Sequence, residues 1–354
     1  MKSFLPLAVA ACLALGGCAG WKVDKTAIPS PQDVQVLSAE IAKVREFQSA
    51  VYDVSVFSVD RCERKSTREP FALLTLGSLE PFLSKEKIAA YYHAGGFDEQ
   101  WHVLWAHQES GLQKGDNITH INGNKLDNNK TGLGEAPLQL YFNAITSARE
   151  AALTGKPFVV RRADGRELQV KVVPACRTIV WSMPLLEQSN YAGVTLNGPV
   201  VIPANAIQAA QTTDELRYLA AIAVYLSASA EANGRRQLAV LGLGLAAATV
   251  FVNPLLYAAT TFPTARGITG AETSGMVENA ALFATEVVSD MGGSPRAGLD
   301  LVERLEAKKL GADRVLLDAN SKAKVEAVVS ALEAGLPKPG NSADRPGKIE
   351  LEAR

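Results

Sequence analysis

Apolar residues near the amino end of the chain recur first at helical spacing and then at strand spacing. From Val34 onward they stand three or four positions apart, at Leu37, Ile41, Val44 and Val51. This spacing predicts an amphipathic helix. Around Val54 and Val56 the interval shortens to two, which predicts a strand before Cys62. Residues 34–66 are therefore expected to form a helix followed by a strand.

Strands and helices alternate through the middle of the chain. The apolar pattern predicts strands at 71–76, 118–121, 158–162 and 168–173. It predicts a short helix at 84–92 and a longer one at 137–153, whose apolar face holds Leu138, Phe142, Ile145 and Ala148. After residue 176, a strand at 200–202 precedes a helix that opens with Thr212 and Glu215 at capping-box spacing. The expected fold class is α+β.

The stretch from Ser110 to Lys125 carries the most specific motif of the chain. Gly111-Leu112 and Gly115-Asp116 form a turn before a short strand, and Asn122-Gly123 supplies the pair with positive φ that a tight hairpin favours. The stretch resembles the core signature of PDZ domains, in which a peptide strand adds to a sheet edge. An ordinary hairpin is the alternative interpretation.

This resemblance covers residues 67–175 and implies a PDZ-like β-sandwich that binds an extended or C-terminal peptide. The peptide would lie beside strand 71–76, and helix 137–153 would form the other wall of the groove. The candidate carboxylate-binding loop consists of Thr75, Leu76, Gly77 and Ser78. The candidate contact residues on the helix are Leu138, Phe142 and Ile145.

The first 17 residues are typical of a secretory signal, with Lys2 before an apolar segment. The ending Leu15-Gly-Gly-Cys18 resembles a bacterial lipobox, which implies that Cys18 is lipidated and that residues 18–33 are a lipidated tether. Because Ala19 follows the cysteine, the family analogy favours the outer membrane, with the protein facing the periplasm. Plain secretion with cleavage near Gly17 is the alternative.

Export to an oxidising compartment changes what the cysteines can do. Cys12 leaves with the signal and Cys18 would carry lipid, so Cys62 and Cys176 form the single possible disulfide of the mature chain. Two buried free thiols are the other possibility. The formal net charge is −1 and no basic stripe with interleaved aromatic residues occurs, so a nucleic-acid partner is not expected.

The carboxyl-terminal half is similar to gluzincin metallopeptidases of the HtpX and CAAX-prenyl-protease type. The similarity rests on the order of Asp214-Glu-Leu216, Gly292-Gly-Ser-Pro295, the segment 320–332 and Gly335-Leu-Pro-Lys-Pro339. It covers about residues 35–340, together with the internal PDZ-like region. It implies a mainly helical, zincin-like domain at 176–336, followed by a polar tail at 337–354.

The residues that bind zinc in such peptidases are missing. The family uses two histidines four residues apart on one helix, a glutamate between them, and a third ligand from a later helix. The matching positions in this chain are Ile222, Ala223, Leu226 and Asn279, and all four histidines precede residue 121. We expect a pseudopeptidase without metal or other cofactor, in which the three residues at 222–226 extend the apolar face of a buried helix.

Three functions remain open at this point. The first is a non-catalytic envelope lipoprotein whose PDZ-like groove binds peptide or protein segments, with the peptidase-like domain as scaffold or regulator. The second is an active zinc metalloendopeptidase with an atypical site. The third is a structural lipoprotein that contacts the membrane surface through the uncharged stretch 238–262. The same stretch could instead form a buried helical pair or span the membrane.

Overall fold

Helices and small sheets build the protein, so the fold class is α+β as expected. The structure, a computed structural model, describes residues 22–78, 83–126, 137–183, 193–194, 200–228, 274–308, 317 and 319–335. In chain order, the helices are α1 (Pro31–Phe57), α2 (Lys85–Gly95), α3 (Pro137–Leu153), α4 (Ala204–Ala209), α5 (Thr213–Ala228), α6 (Ser274–Asp290), α7 (Ala297–Ala307) and α8 (Ala319–Glu333).

The strands form four small sheets. Their bounds are β1 (Lys65–Arg68), β2 (Phe71–Leu74), β3 (His102–Ala106), β4 (Ile118–Ile121), β5 (Asn124–Lys125), β6 (Phe158–Arg162), β7 (Glu167–Val170), β8 (Val173–Cys176), β9 (Val180–Met183), β10 (Gly193–Val194) and β11 (Val200–Pro203). The sheet orders are β1-β8, β2-β3, β5-β4-β6-β7 and β10-β11-β9. Only β11 and β9 run parallel among these pairs.

Helix α1 is longer than the sequence predicts. Ser30 caps its start by accepting a hydrogen bond from the Asp33 amide, and the helix continues to Phe57. The strand expected around Val54 and Val56 is therefore wrong. Val54 is fully buried and follows Val51 at helical spacing, so tertiary packing extends the helical face through this segment. The first strand is β1, further along the chain.

The hairpin motif folds as its residue types predict. Asn122 and Gly123 have φ values of 45° and 79°, the left-handed conformation that a tight turn between β4 and β5 requires. Strands β2–β4, β6 and β7 and helix α3 enclose one apolar core, which includes Phe71, Ile118 and Ile145. The predicted helix 137–153 has the observed bounds of α3.

A second, larger core lies between helices, and α1 is at its centre. Helix α1 packs against α2 on one side and against α5 on another. At the start of α5, Thr212 accepts a hydrogen bond from the Glu215 amide, as capping-box spacing predicts. Leu104 of β3 also belongs to this larger core, so residues from both halves of the chain contribute to it.

The disulfide between Cys62 and Cys176 is present and confirms that pairing. It connects the segment after α1 to the end of β8, across a sequence separation of 114 residues and a Cα–Cα distance of 5.6 Å. Within the described ranges, none of the helices combines the length and the apolar character needed to cross a bilayer. The stretch 238–262, the signal region and Cys18 lie outside those ranges.

The segment before α1 lies against the fold. Val23 is buried, its amide donates to the Glu99 carboxylate, and the Lys25 ammonium binds Asp98 at 2.8 Å. Part of the region expected to be a tether is thus attached to the body of the protein. The chain between Cys18 and this attachment is short.

Candidate peptide-binding groove

A groove opens between strand β2 and helix α3. Its empty volume is about 500 Å³. The lining side chains come from β2, from α3 and from four flanking segments, namely Gln48, Arg68, Glu69, Phe71, Ala72, Leu73, Leu74, Leu104, Tyr141, Phe142, Ile145, Arg149, Ile179 and Val180. Most of these residues are apolar, and the charged ones gather at one end. The groove thus combines an apolar wall with a small polar site, as ligand-binding clefts commonly do.

Strand β2 presents one unpaired edge. In the part of the chain that the structure describes, β2 pairs with β3 and with no other strand. The Tyr141 hydroxyl is hydrogen-bonded to the backbone of Leu73, and the Tyr141 ring stacks on Trp101 at 4.8 Å between centroids. Burial raises the pKa of Tyr141, so this hydroxyl stays protonated at neutral pH. An unpaired edge of this kind offers backbone donors and acceptors to an added strand.

Ala72 and Phe142 are the side chains that belong most clearly to the groove. Both line it, and neither belongs to the two buried apolar cores. Ile145 also lines the groove, but it is only 2 % exposed and is a member of the smaller core. Substitutions at Ile145 would therefore disturb the fold as well as the groove.

A buried ion cluster closes one end of the groove. The Arg149 guanidinium donates to both oxygens of the Glu69 carboxylate, from Nε and from Nη2, at 2.7 Å each. Burial opposes the charge on Glu69, yet Arg149 and Arg68 outweigh it and lower the pKa of Glu69. Burial likewise opposes the charge on Arg149, and Glu69 outweighs it and raises the pKa of Arg149. This pair is a fork-to-fork contact between charged groups, the strong form of ion pair.

Arg68 is less completely satisfied than Arg149. Its Nη1 donates to the Thr178 carbonyl at 3.0 Å, and its Nε is buried without a hydrogen-bond partner among the described residues. The Nε lies 3.9 Å from the Glu69 carboxylate, which is too long for a hydrogen bond. Burial lowers the pKa of Arg68, although Glu69 partly offsets this effect. Two guanidinium groups and one carboxylate leave this end of the groove with one excess positive charge.

The segment that joins the two halves of the chain also borders the groove. The Thr178 carbonyl accepts hydrogen bonds from Arg68 and Arg149, and Ile179 and Val180 line the groove beside them. The Ser227 hydroxyl of α5 donates to the Ile179 carbonyl at 3.4 Å. Helix α5 therefore helps to hold the connecting segment against the charged end of the groove.

Of the contact residues predicted from the sequence, some line the groove and others do not. Phe142 and Ile145 line the groove, whereas the side chain of Leu138 is outside the described residues, although its backbone belongs to α3. The predicted loop is not part of the lining: the Thr75 hydroxyl donates to the Glu99 carbonyl and accepts from the Gly77 amide, and Leu76 is fully buried in the larger core. The side chain of Ser78 lies outside the described residues.

Sequence reasoning missed Arg68, Glu69 and Arg149. The sequence carries one signal for Arg149, because it follows Leu138, Phe142 and Ile145 at steps of four, three and four, which place it on the same helix face. A charged residue on an otherwise apolar stripe indicates a buried partner. Its partner Glu69 is 80 residues away in sequence, and the spacing gives no sign of it.

The positions that match the zinc motif do not form a site. Ile222, Ala223 and Leu226 are buried in α5, as the sequence predicts for an apolar helix face. Asn279 is exposed on α6, and the neighbouring Glu278 pairs with Lys324 at 2.8 Å. Among the described residues, no group of three or more His, Cys, Asp or Glu side chains could hold a metal ion.

Comparisons with known proteins do not place the chain in a family. Neither the models of protein families, nor the curated proteins, nor the solved structures contain a match to it.

Proposed function

We propose that this protein is a non-catalytic, lipid-anchored lipoprotein of the outer membrane, facing the periplasm, that binds peptide or protein segments in a PDZ-like groove. The observation that carries the proposal is the unpaired edge of β2 beside an apolar wall from α3. In this proposal the helical half is a degenerate, zincin-like scaffold, and the ligands are segments of other envelope proteins.

The unpaired edge accounts for binding that does not depend on ligand sequence. A ligand strand beside β2 would exchange backbone hydrogen bonds with it, which is the mode of recognition called β-augmentation. The Tyr141 hydroxyl, which is hydrogen-bonded to the Leu73 backbone, would be replaced by a backbone group of the ligand. The edge keeps a hydrogen bond in this exchange, but the buried Tyr141 hydroxyl loses its partner, which costs roughly 1–3 kcal/mol unless it binds another group.

The apolar wall accounts for selectivity. Alternate side chains of an extended ligand point to opposite faces, so every second one would enter the groove. Side chains that enter the groove would contact Phe142 and Ala72.

The lipid anchor would keep this groove close to the membrane. Val23 is buried against the fold, and it is five Cα–Cα steps from Cys18. Fully extended, these steps reach at most about 18 Å. Ligands at the membrane surface would therefore meet the groove at a high effective concentration, which compensates for the weak affinity of a single groove.

A peptide selection with matched variants tests the proposal. Random peptides are selected on the full-length protein in detergent, and binding of the enriched peptides is measured by fluorescence anisotropy. Phe142→Ala removes part of the groove wall and is expected to weaken binding about 10- to 100-fold, from roughly 1.5–3 kcal/mol of lost apolar contact.

Leu153→Ala is a control on the same helix at a side chain that is 58 % exposed, and because Phe142 is only 8 % exposed, thermal melting checks that Phe142→Ala is folded. This variant should bind like the unmodified protein. Equal enrichment on all three proteins, or none on any of them, would contradict a peptide-binding groove between β2 and α3.

A further inference from the structure

We infer that the surface around Ile28 is a membrane-contact patch, and that the Ile28 side chain enters the outer part of a phospholipid bilayer. This inference rests on the lipid anchor of the proposed function, and it adds a second contact between the protein and the membrane. It comes from the segment 22–30, which lies between the proposed anchor and the start of α1.

Ile28 has the most exposed large apolar side chain among the described residues. It is 95 % exposed, whereas the next such side chain, Leu153, is 58 % exposed. Isoleucine is among the residue types that are most often fully buried in folded proteins. Nearly complete exposure on a segment that lies against the fold therefore indicates that the side chain meets an apolar partner outside the chain.

The proposed anchor brings this side chain to a bilayer. Val23 is buried against the fold and is five Cα–Cα steps from Cys18, a span of at most about 18 Å. Ile28 lies five residues further along the same segment. A lipidated Cys18 would hold the face of the protein that carries this segment next to the membrane, so the apolar phase within reach of Ile28 is the bilayer.

Hydrogen bonds fix the backbone on both sides of Ile28. Before it, the Ala27 carbonyl accepts a hydrogen bond from Nε2 of His93 at 3.0 Å. After it, Pro29 restricts the backbone, and the Ser30 hydroxyl caps α1. The side chain is thus presented by an ordered segment, and contact with the membrane would cost little further conformational entropy.

The neighbouring side chains are of types that suit the boundary between membrane and water. The Lys25 ammonium lies 5.4 Å from the centroid of the half-buried Tyr92 ring, and it binds Asp98 at 2.8 Å. Tyrosine is enriched at this boundary, and lysine can lay its stem on apolar surface while its ammonium stays in water. Because Asp98 compensates the charge of Lys25, we assign the contact to Ile28 rather than to attraction for anionic lipid.

A fluorescent probe at position 28 tests the contact in the mature, lipidated protein. Ile28→Cys supplies the single free thiol, because Cys18 would carry lipid and Cys62 and Cys176 are bonded to each other. In phosphatidylcholine vesicles, an environment-sensitive fluorophore on this thiol should be quenched by nitroxide-labelled lipids from a depth of about 5–10 Å. Leu153→Cys with the same fluorophore is the control, and it should emit at longer wavelength and escape this quenching.

Vesicle flotation separates this inference from the anchor on which it rests. If the protein floats with the vesicles but the probes at 28 and 153 behave alike, the inference is overturned and the anchor remains. If the protein does not float, both are removed. Quenching that requires phosphatidylglycerol and disappears at high salt would also overturn the inference, because it would indicate attraction between charges instead of apolar contact.

Discussion

Replacing Arg149 by methionine should destabilise the protein strongly, because it leaves the Glu69 carboxylate in the interior. Glu69 is 2 % exposed, and its closest remaining cation is Arg68, whose Nε is 3.9 Å away. Breaking a buried ion pair from one side typically costs about 3–5 kcal/mol of unfolding free energy. We expect a loss of that size for Arg149→Met at pH 7, measured by urea unfolding followed by circular dichroism.

The double variant Glu69→Gln with Arg149→Met should recover most of this loss. It removes the carboxylate and the guanidinium together, so the net charge of the cluster stays at one positive charge. Exchanging a buried ion pair for neutral groups of similar volume is often close to neutral in stability. The two substitutions should therefore show a coupling energy of about 2 kcal/mol or more.

The pH dependence should change in a specific direction. In the unmodified protein the ion pairs lower the pKa of Glu69 below 4.5, so its contribution is present above pH 4.5 and is lost as the pH falls through the folded-state pKa. In Arg149→Met, burial dominates and raises the pKa of Glu69, so the variant is penalised most at neutral pH. The stability difference between the two proteins should shrink from pH 7 to pH 4.

An exposed pair provides the control. Arg161 lies 2.6 Å from Glu167, and their side chains are 42 % and 54 % exposed. Arg161→Met should cost less than about 1 kcal/mol, since exposed ion pairs contribute little to stability. If Arg149→Met were as mild as this control, or if its penalty did not vary with pH, the assignment of Glu69 as a buried, paired carboxylate would be wrong.

Other predictions concern the disulfide, one close helix contact and the missing zinc motif. Replacing Cys62 and Cys176 together by alanine should lower the unfolding free energy by about 4–5 kcal/mol, from the loop of 114 residues that the bond closes; urea unfolding that matches the unmodified oxidised protein would contradict this. Gly298→Ala should lower the unfolding free energy by about 1–3 kcal/mol, because the new Cβ would lie 2.2 Å from the Tyr218 ring. Gly275→Ala is the control, since its new Cβ would meet no atom within 4 Å and should not destabilise the protein. Thermal melting compares the two variants. A metal chelator should leave the melting temperature of the full-length protein unchanged, and stoichiometric bound zinc would refute the pseudopeptidase proposal.

Local features of the fold could be predicted from the sequence because their causes are local. The turn at Asn122-Gly123 follows from two residue types that tolerate positive φ, and α3 follows from an apolar face at helical spacing. The prediction at Val54 and Val56 was wrong because a short alternating pattern also fits the next turn of a helix. Packing against α5, which lies far along the chain, decides between the two structures.

The candidate site was predictable only on its helix side. Phe142 and Ile145 lie on the apolar face of α3, which the spacing reveals. The charged end depends on how β1 and α3 meet, since Arg68 and Glu69 reach Arg149 across about 80 residues of sequence. Spacing along a chain carries no information about such a contact. The loop that begins at Thr75 was assigned to the site by resemblance, but its Thr75 hydroxyl binds the Glu99 carbonyl and its Leu76 lies in the larger core.

The central position of α1 has a consequence for the order of folding. This helix is complete at residue 57, but α5, against which it buries its apolar face, begins at residue 213. During synthesis α2 can pack against α1 early, but the chain must carry α1 without α5 while residues 58–212 are made. Contacts of such long separation slow folding and leave apolar surface open to association. Refolding is thus expected to be slow, and a chaperone that covers α1 should raise the yield of native protein.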